Sequence, residues 1–316
     1  MNIPNIKFTR LKIHLRALEK IRLPVFPGAS FRGGFGAALR RACCTMDRQP
    51  CQDCMLKTSC VYAAVFETAS DHTSHALYQL SDFPRPFIIE PQFPVPEVIS
   101  AGESFFCHLI LIGHAVNYLP YFIYAFSSLG NAGLGKGRER FKLDSVETAM
   151  NTKGKTIFNG KSQQFLDSPQ ISSFAEFFSE DDKNEKLSLT FETPTRIKHE
   201  NILTDDLSFE LFMKNLLRRL LLLIQISHNS PWDLDYKAFL NKSKGITKVK
   251  SDLYWYDWKR YSNRQKMTMK LGGFMGNIIF QGEITPFLPF IRLGEFVHVG
   301  KACTFGLGKY RMEIET

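Results

Sequence analysis

From residue 6 to residue 18 apolar side chains nearly alternate with polar or basic ones: Ile6, Phe8, Leu11, Ile13, Leu15 and Leu18. That period predicts a strand. Pro24 and Pro27 close it, and 30–43 suits a helix with Ser30 as its N-cap. Pro84, Pro86, Pro91, Pro94 and Pro96 hold the next stretch extended, because proline cannot occupy a helix interior. The pattern then predicts a buried strand at 104–112, a helix at 118–129, and a glycine-rich turn leading into a strand at 138–146. Residues 151–186 are polar and without period, as in an interdomain connection or surface insertion. A strand is predicted at 186–198 and a helix at 207–226, where Glu210, Lys214 and Arg218 fall four apart on one face. A glycine-containing strand at 274–284 and a helix at 287–298 follow, with Pro289 in the helix's first turn.

An internal echo organises these elements. Leu119-Pro120-Tyr121-Phe122 comes before Gly133-Leu134-Gly135-Lys136, and Leu288-Pro289-Phe290-Ile291 before Gly306-Leu307-Gly308-Lys309. Each glycine run leads into a basic strand. The order fits two copies of a βαββαβ unit, an α+β fold with helices on one face of each antiparallel sheet. The expected domains are 1–150, carrying a cysteine-rich insertion at 43–60, and 186–316, with 151–185 as linker or insertion.

Composition changes the picture mainly through charge. The 316 residues carry 40 Lys and Arg against 31 Asp and Glu, a formal +9. Two stretches account for the excess. Residues 242–270 hold nine basic and two acidic side chains, and 133–142 hold four and one. Cations concentrated on an otherwise neutral body point to a polyanion-binding surface. The N-terminus lacks the apolar core of a signal peptide, and apolar runs are too short to span a bilayer. Seven cysteines without a secretion signal imply a reducing cytoplasm rather than a disulfide framework and no membrane partner.

Four constellations could carry chemistry. Gly300 to Gly308, flanked by Lys301, Lys309 and Arg311, is a glycine loop able to approach phosphate, or a tight turn between helix and strand. It is no Walker loop, since a Gly-Lys-Ser/Thr ending is missing. The tract 242–270, including Lys259 and Arg260, is interleaved with Tyr254, Trp255, Tyr256, Trp258 and Tyr261. This can bind phosphates and stack bases, or be a strand with solvated lysines. Cys44, Cys51, Cys54 and Cys60, with Cys43 as a replacement, could hold a structural zinc or an iron–sulfur cluster, or remain free. Zinc is favoured, in a closed site without a catalytic role. Among eight histidines His298 stands two residues before the glycine loop, and His72 and His75 lie near Asp71 in a polar stretch. No His-Glu-x-x-His or Gly-x-Ser-x-Gly motif is present.

Six motifs together carry a resemblance: Phe31-Arg-Gly-Gly-Phe-Gly-Ala-Ala-Leu-Arg40, the knuckle ending Cys60-Val-Tyr62, Phe83-Pro-Arg-Pro-Phe87, Gly130 to Phe141, Thr193-Pro-Thr-Arg-Ile197 and Val297 to Tyr310. The chain resembles the CRISPR-associated endoribonucleases of the RAMP superfamily that process precursor CRISPR RNA. The resemblance implies two tandem ferredoxin-like (RRM-like) domains and a C-terminal glycine loop in contact with CRISPR repeat RNA. It implies metal-independent cleavage, in which a 2′-hydroxyl attacks the adjacent phosphate to leave a 2′,3′-cyclic phosphate, with no cofactor for catalysis. Arg32, Lys136, Arg138, Lys259, Arg260, Lys301, Gly306, Gly308, Lys309 and Arg311 are the expected RNA contacts. Other CRISPR-associated subunits are possible partners. Family members often carry a catalytic histidine on or just after the first helix; here that helix offers Ser30, Arg32, Arg40 and Arg41 instead. His298 or His72 takes the role, or arginine and lysine suffice, or the chain is an RNA-binding subunit that does not cut.

Overall fold

The computed structural model describes residues 5–46, 49–67, 83–150, 153–178, 185–228, 232, 234–262 and 267–315, with backbone only at 228, 259–262 and 267–270. The chain is a mixed α/β protein with antiparallel sheets, divided into two compact units. One comprises 6–172 and 222–230; the other comprises 1–5, 173–221 and 231–316.

The first unit is built around the strand Lys7–Ala17, paired antiparallel with Ser104–Ile112 on one side and Phe141–Thr148 on the other. Phe87–Pro91 extends the sheet beyond the former, and Thr156–Asn159 beyond the latter. The polar segment predicted as a connection thus contributes sheet: Ile157 and Phe158 are buried apolar positions within it. Leu11, Ile13 and Leu15 face the helices Gly28–Cys43 and Leu119–Ala132, in one core with Phe31, Phe35, Leu39, Phe122 and Phe126. By the two-residue period of a strand, Arg10, Lys12 and His14 alternate with these core positions and lie on the opposite face.

Two boundaries depart from expectation. The first helix starts at Gly28 with Pro27 at the N-cap position, so Ser30 lies inside the first turn and caps nothing. The strand predicted from 138 starts at Phe141, because Leu134 and Glu139 bridge each other and fold 133–140 into a tight turn.

In the second unit the sheet order is Thr247–Tyr256, Gly273–Gln281, Lys186–Thr195, Tyr310–Ile314, all antiparallel. Residues 209–221 of the helix Phe209–His228, and the helix Leu288–Val297, belong to this unit, and Pro289 occupies the first turn of the latter, as the sequence predicts. Phe191, Phe212, Phe274 and Tyr310 form an aromatic cluster in the core. Tyr310 is buried, and its hydroxyl donates to the Ile291 carbonyl at 2.7 Å, which satisfies the one polar atom of the ring. Among the described residues no helix is long and apolar enough to cross a membrane.

Candidate nucleic-acid interface

The C-terminal glycine loop is strapped to the end of the strand Lys186–Thr195. Thr193 holds it twice: its hydroxyl donates to the Gly306 carbonyl at 2.9 Å and accepts from the Lys309 amide at 2.9 Å. The Lys301 amide donates to the Arg196 carbonyl at 2.9 Å, and the Val299 amide to the Gly308 carbonyl at 3.0 Å. Two glycines are required by this approach. Gly300 (φ +87°) and Gly308 (φ +75°) sit in the left-handed region, and a Cβ at Gly308 would lie 1.9 Å from the Val299 carbonyl oxygen. The glycines therefore let two backbone segments meet, and Gly306 and Gly308 are themselves buried.

His298 belongs to the same strapping. It follows the helix Leu288–Val297 with φ +61°, is fully buried, and its Nδ1 lies 2.9 Å from the Leu307 carbonyl. An imidazole held this way fixes the loop's curvature and presents no surface to RNA. Of the loop cations, Lys301 is exposed. Lys309 and Arg311 instead share Glu192, at 3.0 and 2.8 Å. Burial pushes the Glu192 carboxyl up, but hydrogen bonds and charge from Arg311 and Lys309 win and hold it below its ordinary value.

The first glycine loop is differently placed. Gly133 (φ +84°) and Gly135 (φ +83°) turn the chain, while Lys136 and Arg138 project into solvent. Arg32 lies on the first helix with its guanidinium 4.8 Å from the Phe66 ring, half-buried. The 242–270 tract forms the edge strand Thr247–Tyr256 and a hairpin, Lys259–Ser262 with Met267–Lys270. Tyr254 and Trp255 are exposed there, whereas Trp258 is buried. The tract is less bare than its sequence reads. Lys248 pairs with Asp206 at 2.6 Å, Lys250 with Asp252 at 2.7 Å, and Lys244 with Glu210 at 3.8 Å. Lys259 and Arg260 lie in the hairpin backbone; their side chains, together with His72, fall outside the described residues.

Sequence reasoning missed one polar cluster, although the alternation in 6–18 contains its signal. On the polar positions of the central strand, Nε2 of His14 lies 3.0 Å from Oε2 of Glu147, and Arg10 pairs with Glu90 at 2.8 Å. His108 also approaches Glu90, at 3.6 Å, and the Lys12 ammonium stands 4.3 Å from the Phe106 ring centroid. Arg16 contacts Asp144 at 2.7 Å, beside a cavity of about 680 Å³ whose lining includes Lys142, Lys161 and Gln163. The register places Lys12 opposite His108 and His14 opposite Phe106.

The five cysteines of 43–60 are all free and half-buried. Among the described residues no three His, Cys, Asp or Glu side chains are arranged as they stand to hold a metal ion. Cys43 packs against the hydrophobic core, and burial pushes its thiol up to about 11.

A family model described as CRISPR-associated endoribonuclease Cas6 matches residues 189–310, which contain the strapped loop and its strand. Residues 189–310 thus resemble the Cas6 endoribonucleases. A second model, AF_1859_N, described as an N-terminal domain, matches residues 6–170. A curated relative, an uncharacterized protein of Archaeoglobus fulgidus, is 30% identical over 157 residues; the match spans 50% of this chain and 51%, about half, of that protein. A Cas6 (TTHB231) product complex superposes with a TM-score of 0.60 at 16% identity, covering 97% of this chain and 100% of that one. Thermus thermophilus Cas6 (TTHB231) gives 0.55 at 14% identity, covering 99% and 100%. A Cas6-RT-Cas1–Cas2 complex gives 0.55 at 15%, covering 98% of this chain and 29% of that one. The Cas6 fold thus extends over nearly the whole molecule.

Proposed function

We propose that this chain binds CRISPR repeat RNA and cuts precursor CRISPR RNA by attack of a 2′-hydroxyl on the adjacent phosphate, leaving a 2′,3′-cyclic phosphate and requiring no metal. The observation that carries the reading is the Cas6 match across 189–310, because it falls on the half that holds the strapped glycine loop. In this reading the two units are tandem ferredoxin-like domains. Lys301, Lys136 and Arg138 are solvated cations available to phosphates, and Tyr254 and Trp255 offer exposed faces to unpaired bases. Other CRISPR-associated proteins are its expected partners.

Proton transfer at the scissile phosphate needs an imidazole or equivalent within reach of solvent. His298 is buried and acts as a positioning residue for the loop. Among the described imidazoles, His14 combines partial exposure, a carboxylate at 3.0 Å and cationic neighbours on its own strand, so it is our candidate acid or base. His72 is the rival.

Repeat RNA incubated with the full chain in EDTA is expected to yield products ending in a cyclic phosphate. Uncut RNA, bound with unchanged affinity, would instead establish the second reading, an RNA-binding subunit without chemistry. That reading draws on the absence of histidine from the helix Gly28–Cys43. Substituting His14→Ala should lower the single-turnover rate by roughly 10²–10⁴ with binding retained. An unaffected rate, with the loss appearing in His72→Ala, transfers the role to His72.

A further inference from the structure

Among its described residues, the segment between the helices Gly28–Cys43 and Val61–Phe66 has no apolar interior of its own. From Cys44 to Cys60 no described residue is buried; Met55 is 81% exposed and Leu56 43%. The half-buried positions are Cys44, Met46, Cys51, Cys54, Lys57 and Cys60, so the inward side of this loop consists largely of thiols. A chain stretch without buried apolar surface needs another source of order, and small units of this kind use a disulfide or a metal.

The thiols also stand at the loop's structural corners. Cys44 ends the first helix, Cys51 opens the single turn Cys51–Asp53, Cys54 closes it, and Cys60 is the N-cap of Val61–Phe66. The turn is fixed by the Asp53 amide donating to the Pro50 carbonyl at 3.1 Å, and a second by the Lys57 amide donating to the Cys54 carbonyl at 3.0 Å. Two thiols on one tight turn and one from each flanking helix end are the parts of a knuckle site. Cys43 lies near Cys44 and Cys60 but differs from them in packing against the hydrophobic core together with Tyr62. Arg40 and Arg41 in the last helical turn supply positive charge beside the loop.

We propose that Cys44, Cys51, Cys54 and Cys60 bind one zinc ion, which orders the loop, and that Cys43 takes no part. Entry of Zn²⁺ displaces a proton from each of the four thiols, draws the side chains into a tetrahedron, and leaves no open position for substrate. The site is therefore structural and independent of the RNA chemistry proposed above.

The test uses the full chain expressed with zinc supplied and purified under reducing conditions. Elemental analysis should find about one zinc per chain. Cys51→Ser and Cys54→Ser should each reduce it at least roughly tenfold, while Cys43→Ala keeps it. Stripping the wild type with a chelator should speed proteolysis within 45–59 at least roughly tenfold, and adding zinc back should reverse this. Protein that stays metal-free after zinc is supplied, with the partly exposed thiols of 43–60 all reacting at once, overturns the proposal. So do zinc lost from Cys43→Ala but kept in Cys54→Ser, iron with acid-labile sulfide in place of zinc, or a disulfide within the loop.

Discussion

The sequence Gly-Leu-Gly-Lys occurs twice, at 133–136 and 306–309, and the two copies have become different objects. Around the first, Lys136 and Arg138 are solvated on a tight turn. Around the second, Gly306, Leu307 and Gly308 are buried, His298 and Thr193 strap the backbone, and Lys309 is neutralised by Glu192. The same four residues give a charged tip in one unit and a rigid splice in the other. A glycine motif alone thus says that backbone approaches something closely. Whether that is a phosphate or another strand depends on what the fold brings against it.

The sharpest way to break the contrast is alanine at a glycine in each region. Gly308→Ala puts a Cβ against the Val299 carbonyl at positive φ and should cost about 1–3 kcal/mol, read as a lower thermal midpoint together with weaker RNA binding. Gly137→Ala meets only the flexible Glu139 carboxylate and should stay within about 0.5 kcal/mol. Equal losses at both positions would erase the distinction.

Charge comes next. Lys136→Ala should weaken RNA binding about fivefold at low salt and reduce the salt slope by roughly 0.7, measured by filter binding over a salt series. An unchanged slope would remove this loop from the interface. Glu192→Gln should act the other way. It releases Lys309 and Arg311 and tightens binding about two- to threefold, a gain that disappears at high salt.

The smallest effect is in acid. The folded carboxyl of Glu192 is held below its ordinary 4.5, so its pairing stabilises the protein above that value and is lost as pH falls through the lowered one. Thermal midpoints measured from pH 5 downward should therefore fall more steeply in the wild type than in Glu192→Gln. Parallel curves would show that the triad contributes nothing to stability.

Much of the scaffold was legible along the chain because local patterns caused it. Alternation drew the strand at 6–18, helical spacing drew 118–129 and 207–226, and Pro289 marked a first turn. The interface was legible only as a list of cations. In sequence the 242–270 tract has too few acids to balance it, yet Asp206 and Glu210 reach Lys248 and Lys244 from far upstream. His298 read as a candidate acid or base beside a phosphate loop, and burial in its own helix–loop junction made it a clip. The row Arg10, Lys12, His14, Arg16 was visible as alternation, but nothing in the chain said which face the helices would cover.

By itself the sequence determined the order of the main elements, the paired glycine turns and the family resemblance, since these rest on periods and motifs within short stretches. The tertiary structure alone decided which cations keep their charge available and which histidine can meet solvent. Pairing and burial are set by neighbours distant in sequence, here Glu192 against Lys309 and Leu307 against His298 within one folded unit.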